Sequence, residues 1–242
     1  MGLRDLFSSA GRSKSKLDKL IRKVENKYAQ SPDRYAAMET LLEMGTIPAL
    51  IGVMRRFTVA ASKSIEDEEE KGWLYRRLSG LPAEFVLPAA KEFCVNHDNI
   101  AWVLRIVEDL ADDAQEWEII DAILERHPPV YERDPSKKLQ LLTHVQEIDD
   151  PQVPGIIARY LEDPDEGVRY RAVEALIDIG DEGVKDALAR RLGNPDEDSL
   201  RLRNRILAGF AALGWDLSAH ADAIKPNLGM DFAFDGTHVR AT

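Results

Sequence analysis

Apolar residues recur along nearly the whole chain at the three- and four-residue spacing of a single buried helix stripe. Val168, Ala172, Ala175, Leu176 and Ile179 fall at i, i+4, i+7, i+8 and i+11. Ile100, Val103, Leu104, Val107 and Leu110 answer Trp117, Ile120, Ile123 and Leu124 in the same way. One kind of joint interrupts this periodicity: a Gly or Asp, often followed by Pro or an acidic residue, at Gly45, Gly80, Asp113, Asp150, Gly180 and Gly214. The joints are 35, 33, 37, 30 and 34 residues apart. Gly ends a helix in the left-handed conformation, Asp or Thr caps the next helix, and Pro fits its first turn. Each joint therefore divides a first helix from a second. The pattern predicts six pairs, over residues 33–57, 65–95, 98–127, 135–162, 165–193 and 197–226.

A unit of this length cannot bury its apolar face alone and does so by stacking on its neighbours. The expected architecture is all-α, a right-handed α-solenoid of about six antiparallel helix pairs. A basic N-terminal segment (1–30) precedes the repeat domain (31–226), and a short extended tail (227–242) follows it. Within the first segment, residues 14–28 set Leu17, Leu20, Ile21, Val24 and Tyr28 on one stripe, opposite Lys14, Lys16, Lys19, Arg22, Lys23 and Lys27. Such a helix is expected to cap the open end of the stack. The other reading is a docking helix whose Lys16, Lys19, Arg22 and Lys23 meet a membrane surface or a partner. The tail alternates through Phe232, Phe234 and Val239 around Asp235-Gly236, which predicts a hairpin packed on the last pair.

The fifth pair carries the most specific phrase. Asp163, Pro164, Asp165, Val168, Arg169, Ala172, Ala175, Leu176, Gly180, Asp181, Ala187 and Leu188 resemble a bacterial HEAT-like repeat of the phycobilisome-lyase type. The phrase restarts at Asn194-Pro195-Asp196-Glu197, with Leu202-Arg203 in the place of Val168-Arg169, and Pro32, Asp33, Ala37, Leu41 and Gly45 echo it in the first pair. The middle pairs share the pattern only. Tetratricopeptide repeats have a similar period, but their Trp, Leu-Gly and Tyr positions do not occur together in any unit here. The resemblance implies an armadillo-like stack that binds protein segments along the concave face formed by its second helices.

Charge is unevenly spread. The chain carries −11 overall, yet residues 1–28 hold eight Lys/Arg against three carboxylates, which leaves −16 for the remainder. Nucleic-acid binding rests on phosphate neutralisation, so no nucleic-acid partner is expected of such a body. Cys94 is the single cysteine, in the apolar run Phe93-Cys94-Val95, and reads as a buried hydrophobe. No apolar run has the length of a membrane span or a signal-peptide core, and Leu6 stands where an N-myristoylation signal wants Ser or Thr. A monomeric cytoplasmic protein is expected.

Candidate chemistry is sparse. The five histidines are scattered, and none is followed by Glu as in the His-Glu ligand pairs of iron hydroxylases with related repeats, so no metal or cofactor is implied. Alkylpurine DNA glycosylases, also helical arrays, use converging Trp and Asp. Here Trp73, Trp102, Trp117 and Trp215 lie in apolar patterns and are expected in the core. The acidic run Glu66-Asp67-Glu68-Glu69-Glu70 is expected to be a solvated helix start capped by Ser64. Cations recur along the second helices: Arg55, Arg56, Lys91, Arg159, Lys185, Arg190 and Arg191. They are the expected partner-binding set, suited to an acidic peptide segment. The function expected is a non-catalytic interaction scaffold. The alternative is an enzyme or accessory subunit on the same fold, either a bilin lyase-like factor or a glycosylase-like repair protein.

Overall fold

The computed structural model describes the backbone from Leu3 to Thr242 and the side chains from Ser13 onward. Leu6, at the N-myristoylation position, and two of the eight basic residues of the first segment, Arg4 and Arg12, lie outside the described side chains. The described residues form two compact units, Met1–Arg126 and His127–Thr242. Both are built from antiparallel helix pairs, three to a unit, and the chain is all-α apart from a two-stranded hairpin.

In the first unit, helix α1 (Leu3–Glu25) precedes the pairs α2 (Ser31–Met44) and α3 (Ile47–Met54), α4 (Ser64–Ser79) and α5 (Ala83–Asn96), and α6 (Ala101–Leu110) and α7 (Asp113–Arg126). First helices stack on first helices, α2 on α4 and α4 on α6, and second helices on second helices, α3 on α5 and α5 on α7. Helix α1 lies on α2 and α3 and covers the exposed side of the first pair. Its Val24 is fully buried and Leu17, Leu20 and Ile21 are half-buried. Tyr28, expected on the same stripe, is 77% exposed because the helix has ended at Glu25.

The second unit repeats the plan with α8 (Ser136–Val145) and α9 (Val153–Ala158), α10 (Glu166–Ile179) and α11 (Lys185–Leu192), and α12 (Leu200–Leu213) with the short α13 (Ala221–Ile224). Here α10 lies between α8 and α12, and α11 lies against α13 and against the 3-10 turn Arg159–Glu162 that continues α9. Strands β1 (Phe232–Phe234) and β2 (Val239–Ala241) pair antiparallel, and β2 packs on α12 with Val239 buried.

The joints behave as their chemistry requires. Gly45, Gly180 and Gly214 end α2, α10 and α12 with φ of 59°, 71° and 64°, a region that costs most other residues. Asp165 and Ser199 open α10 and α12 by accepting hydrogen bonds from the Val168 and Leu202 amides. Of the predicted stripe, Val168, Ala172, Ala175 and Leu176 are all 0% exposed, and Ile179, at the end of the helix, is half-buried.

Two helical glycines separate packing from propensity. A Cβ on Gly209 in α12 would lie 2.4 Å from Cδ1 and 2.6 Å from Cγ1 of the buried Ile177 in α10. A Cβ on Gly72 in α4 would meet nothing nearer than Arg76 Nη1 at 3.5 Å. Gly209→Ala is therefore expected to destabilise by about 1–3 kcal/mol through overpacking. Gly72→Ala is expected to stabilise by about 0.5–1 kcal/mol, as Ala does in an open helix. Urea titration of the two variants checks the opposite signs.

Candidate functional site

The ionisable groups divide into those consumed by stacking and those left on the second-helix rows. The acidic run at the start of α4 belongs to the first class, which corrects the expectation of a solvated helix start. Asp67 is 7% and Glu70 0% exposed. Arg34, one turn into α2, gives Glu70 two hydrogen bonds, Nε to Oε2 at 2.8 Å and Nη2 to Oε1 at 2.7 Å. Arg56, in the 3-10 turn Arg55–Thr58 after α3, donates to Glu70 at 2.8 Å and to Asp67 at 2.6 Å. Ser31 Oγ adds a donor at 2.6 Å to Glu70, and Lys71 pairs with Asp67 at 2.6 Å. Two cations of one pair thus clasp the carboxylates of the next.

The second unit uses the same clasp. Glu197, fully buried, accepts from Arg169 of α10 at 2.9 and 3.1 Å, and the Arg191 guanidinium of α11 forms an ion pair with it at 3.1 Å. Lys138 of α8 is buried against Asp163 at 2.7 Å. The arginines also tie down the chain entering their own helix: Arg34 donates to Ala29 O, Arg169 to Asp163 O and Pro164 O, and Arg203 to Glu197 O. Arg203 thus does in the sixth pair what Arg169 does in the fifth.

Burial would raise the Glu70, Asp67 and Glu197 carboxyls. The hydrogen bonds from Arg34, Ser31 and Arg56, from Lys71, the Ala61 amide and Arg56, and from Arg169 and the Ser199 amide overcome it. All three are held below the ordinary carboxylate range. Burial pushes the Tyr160 phenol up to about 12, and its hydroxyl donates to His127 O.

Two of the expected partner-binding cations are therefore removed from the set. Arg56 and Arg191 are 0% and 5% exposed, Arg56 held by Glu70 and Asp67 and Arg191 by Glu197 and Glu162, so neither is presented to a partner. In the consecutive pairs Arg55-Arg56, Arg159-Tyr160 and Arg190-Arg191, the second residue is buried and the first lies nearer the surface. Arg55 is half-buried and pairs with Glu25 of α1 at 3.1 Å. Lys91 pairs with Glu118 at 2.7 Å across α5 and α7. Lys185 is bound to Glu182 at 2.7 Å, and Arg159 and Arg190 are exposed. Arg159, Lys185 and Arg190 stand on the second helices of neighbouring pairs in one unit, whereas Arg55 and Lys91 belong to the other. Lys16, Lys19, Arg22 and Lys23 are exposed on the outer side of α1, with Lys23 at 3.1 Å from Asp33.

Three of the four tryptophans correct the core expectation. Trp73, Trp102 and Trp117 are half-buried, and Trp215 is buried. On the first-helix row, Arg105 lies 5.0 Å from the Tyr75 ring and 5.3 Å from the Trp102 ring, and Arg77 lies 5.7 Å from Trp73. Trp73 with Arg77 and Trp102 with Arg105 have the i, i+4 and i, i+3 spacings that place side chains together on a helix surface, so this cladding was visible in the sequence. A groove of about 340 Å³ was not foreseen. It runs between α5 and α7 and is lined by Leu87, Pro88, Ile119, Glu84, Lys91 and Glu118 among others.

Among the described residues no three His, Cys, Asp or Glu side chains gather as metal ligands, and no helix is long and apolar enough to cross a membrane. A family model described as HEAT repeats matches residues 130–207, which span the fourth and fifth pairs and half of α12. No curated protein and no solved structure shows a significant match to the chain.

Proposed function

We propose that the protein is a non-catalytic interaction scaffold that holds a partner protein along its second helices. HEAT repeats are commonly protein-interaction scaffolds, and a HEAT model matches the second unit. One observation carries the proposal. The inward-facing cations are consumed by the clasps between pairs, while Arg159, Lys185 and Arg190 line one row of second helices with their charges turned outward or half-outward. A guanidinium grips a carboxylate with two parallel hydrogen bonds, so an acidic partner segment fits this row. The repeat subtype that best suits the Asp163-Pro164-Asp165 and Val168-Arg169 phrase is the phycobilisome-lyase type. We take that likeness as one of repeat architecture and carry no bilin chemistry over from it.

Arg159→Glu with Arg190→Glu should abolish capture of the acidic partner. It should change thermal stability little, since surface substitutions usually stay within about 0.5 kcal/mol. Affinity capture with wild-type and double-variant protein, compared by mass spectrometry and backed by titration of a labelled oligoglutamate peptide, tests this. Equal retention by both proteins would move the binding face elsewhere.

A further inference from the structure

The groove between α5 and α7 differs in charge from the row just described. Its floor is apolar: Leu87 and Ile119 are 7% and 3% exposed, and the Pro88 ring lies exposed along it. Its rim is acidic. Glu84 and Glu118 are exposed, and Lys91, the one cation lining the groove, is already paired with Glu118 at 2.7 Å. Beyond the rim α7 exposes Asp121 and Glu125 before the exposed Arg126 of its last turn. The two acids follow Glu118 at i+3 and i+7, on one side of the helix.

Pro88 is the second observation. It sits inside α5, where a proline supplies no N–H to the carbonyl four residues back and crowds it, at a cost of about 3 kcal/mol. The carbonyl in question is that of Glu84, which also lines the groove. Sequences break a local rule of this kind most often where function requires it. A helix proline exposed along the groove, two rim carboxylates and an apolar floor together recognise one chemistry.

We infer that the α5–α7 groove is a docking site for a basic peptide segment that inserts one apolar side chain against Leu87, Pro88 and Ile119 while its flanking Lys or Arg residues meet Glu84 and Glu118. This rests on the scaffold reading above and assigns its first unit a partner of opposite charge to the second unit's. A side chain buried in a pocket supplies the binding energy, and the flanking charges set register and select against acidic segments.

The test uses the full chain and three fluorescein-labelled synthetic peptides read by anisotropy: Lys-rich with a central Leu, the same with Leu replaced by Ala, and Glu-rich with the Leu. Wild-type protein is expected to prefer the Lys/Leu peptide over the Lys/Ala one, and the Arg159→Ala with Arg190→Ala variant, which lacks the acidic-segment row, to prefer it over the Glu/Leu peptide as well. Glu84→Lys with Glu118→Lys should weaken the Lys/Leu peptide about tenfold or more and improve the Glu/Leu peptide. Asp149→Lys with Asp150→Lys, an equal charge change in the other unit, should leave the Lys/Leu affinity unchanged. Pro88→Ala should raise the melting temperature while weakening the Lys/Leu peptide, an opposition that a purely structural proline would not give. Equal weakening by the Asp149/Asp150 variant, indifference to the Leu, or a groove occupied by a second copy (a dimer lost on Leu87→Asp) would each overturn the inference. The Arg159/Arg190 experiment would be untouched by any of these outcomes, so the two proposals fail separately.

Discussion

Replacing Glu70 with alanine is expected to destabilise the protein by about 3–5 kcal/mol, the loss found when one partner of a buried ion pair is removed. Glu70 is fully buried and accepts from Arg34, Arg56 and Ser31, and both guanidiniums are themselves 2% exposed or less. The truncation leaves two buried cations facing a void, with Asp67 the remaining carboxylate on Arg56. Urea titration followed by circular dichroism measures the cost. A change below about 1 kcal/mol would mean that water or a side-chain rearrangement replaces the carboxylate. Glu70→Gln keeps an acceptor but not the charge and should fall between wild type and alanine. Acid provides the same test without mutation. The folded Glu70, Asp67 and Glu197 carboxyls are depressed, so their contribution is fully present above the unfolded pKa. It is lost as pH falls through the folded one, from about pH 5 downward. Removing Glu70 should therefore flatten part of the acid limb of the stability curve.

That carboxylate also marks where the sequence stopped being informative. Helix starts, stops and buried stripes were legible because they depend on neighbours three or four positions away: Gly45, Gly180 and Gly214 announce left-handed helix ends, and Val168 to Leu176 announce a core face. The clasps join Arg34 to Glu70, Arg56 to Glu70 and Arg169 to Glu197, 36, 14 and 28 positions apart, and only the stacking brings them together. Five acids in a row at a helix start satisfy the helix dipole whether or not two of them turn inward, so Glu66–Glu70 read as solvent-facing. The Arg55-Arg56 and Arg190-Arg191 pairs mislead for the same reason. Consecutive positions on a helical turn point in different directions, and in both pairs it is the second arginine that turns inward. The tryptophans erred in the other direction. An aromatic ring at the edge of an apolar stripe is often only half-covered, and Trp73 and Trp102 complete their cover with Arg77 and Arg105. The α5–α7 groove needed the pairing of two second helices to be known, although Pro88 was a local irregularity in plain view.

Truncating Leu176 to alanine is expected to cost about 2–5 kcal/mol, the range for a large aliphatic side chain removed from a packed core. Leu176 is 0% exposed in α10, and α10 is the middle first helix of its unit, stacked on α8 on one side and α12 on the other. Val168, Ala172 and Ala175 on the same stripe are equally buried, and the Gly180 amide closes the helix by donating to the Leu176 carbonyl at 3.1 Å. The substitution leaves that backbone bond intact, so the loss isolates side-chain packing from capping. Repeats interact mainly with their immediate neighbours, which predicts how the damage spreads. Hydrogen exchange should show reduced protection in α8, α10, α11 and α12, with protection in α2 through α5 nearly unchanged. Uniform loss across residues 13–242 would mean that the chain unfolds as a single cooperative block. A titration change near zero would mean that α10 repacks to fill the gap, against the close approach of Gly209 to Ile177 that already leaves α10 and α12 little room to shift.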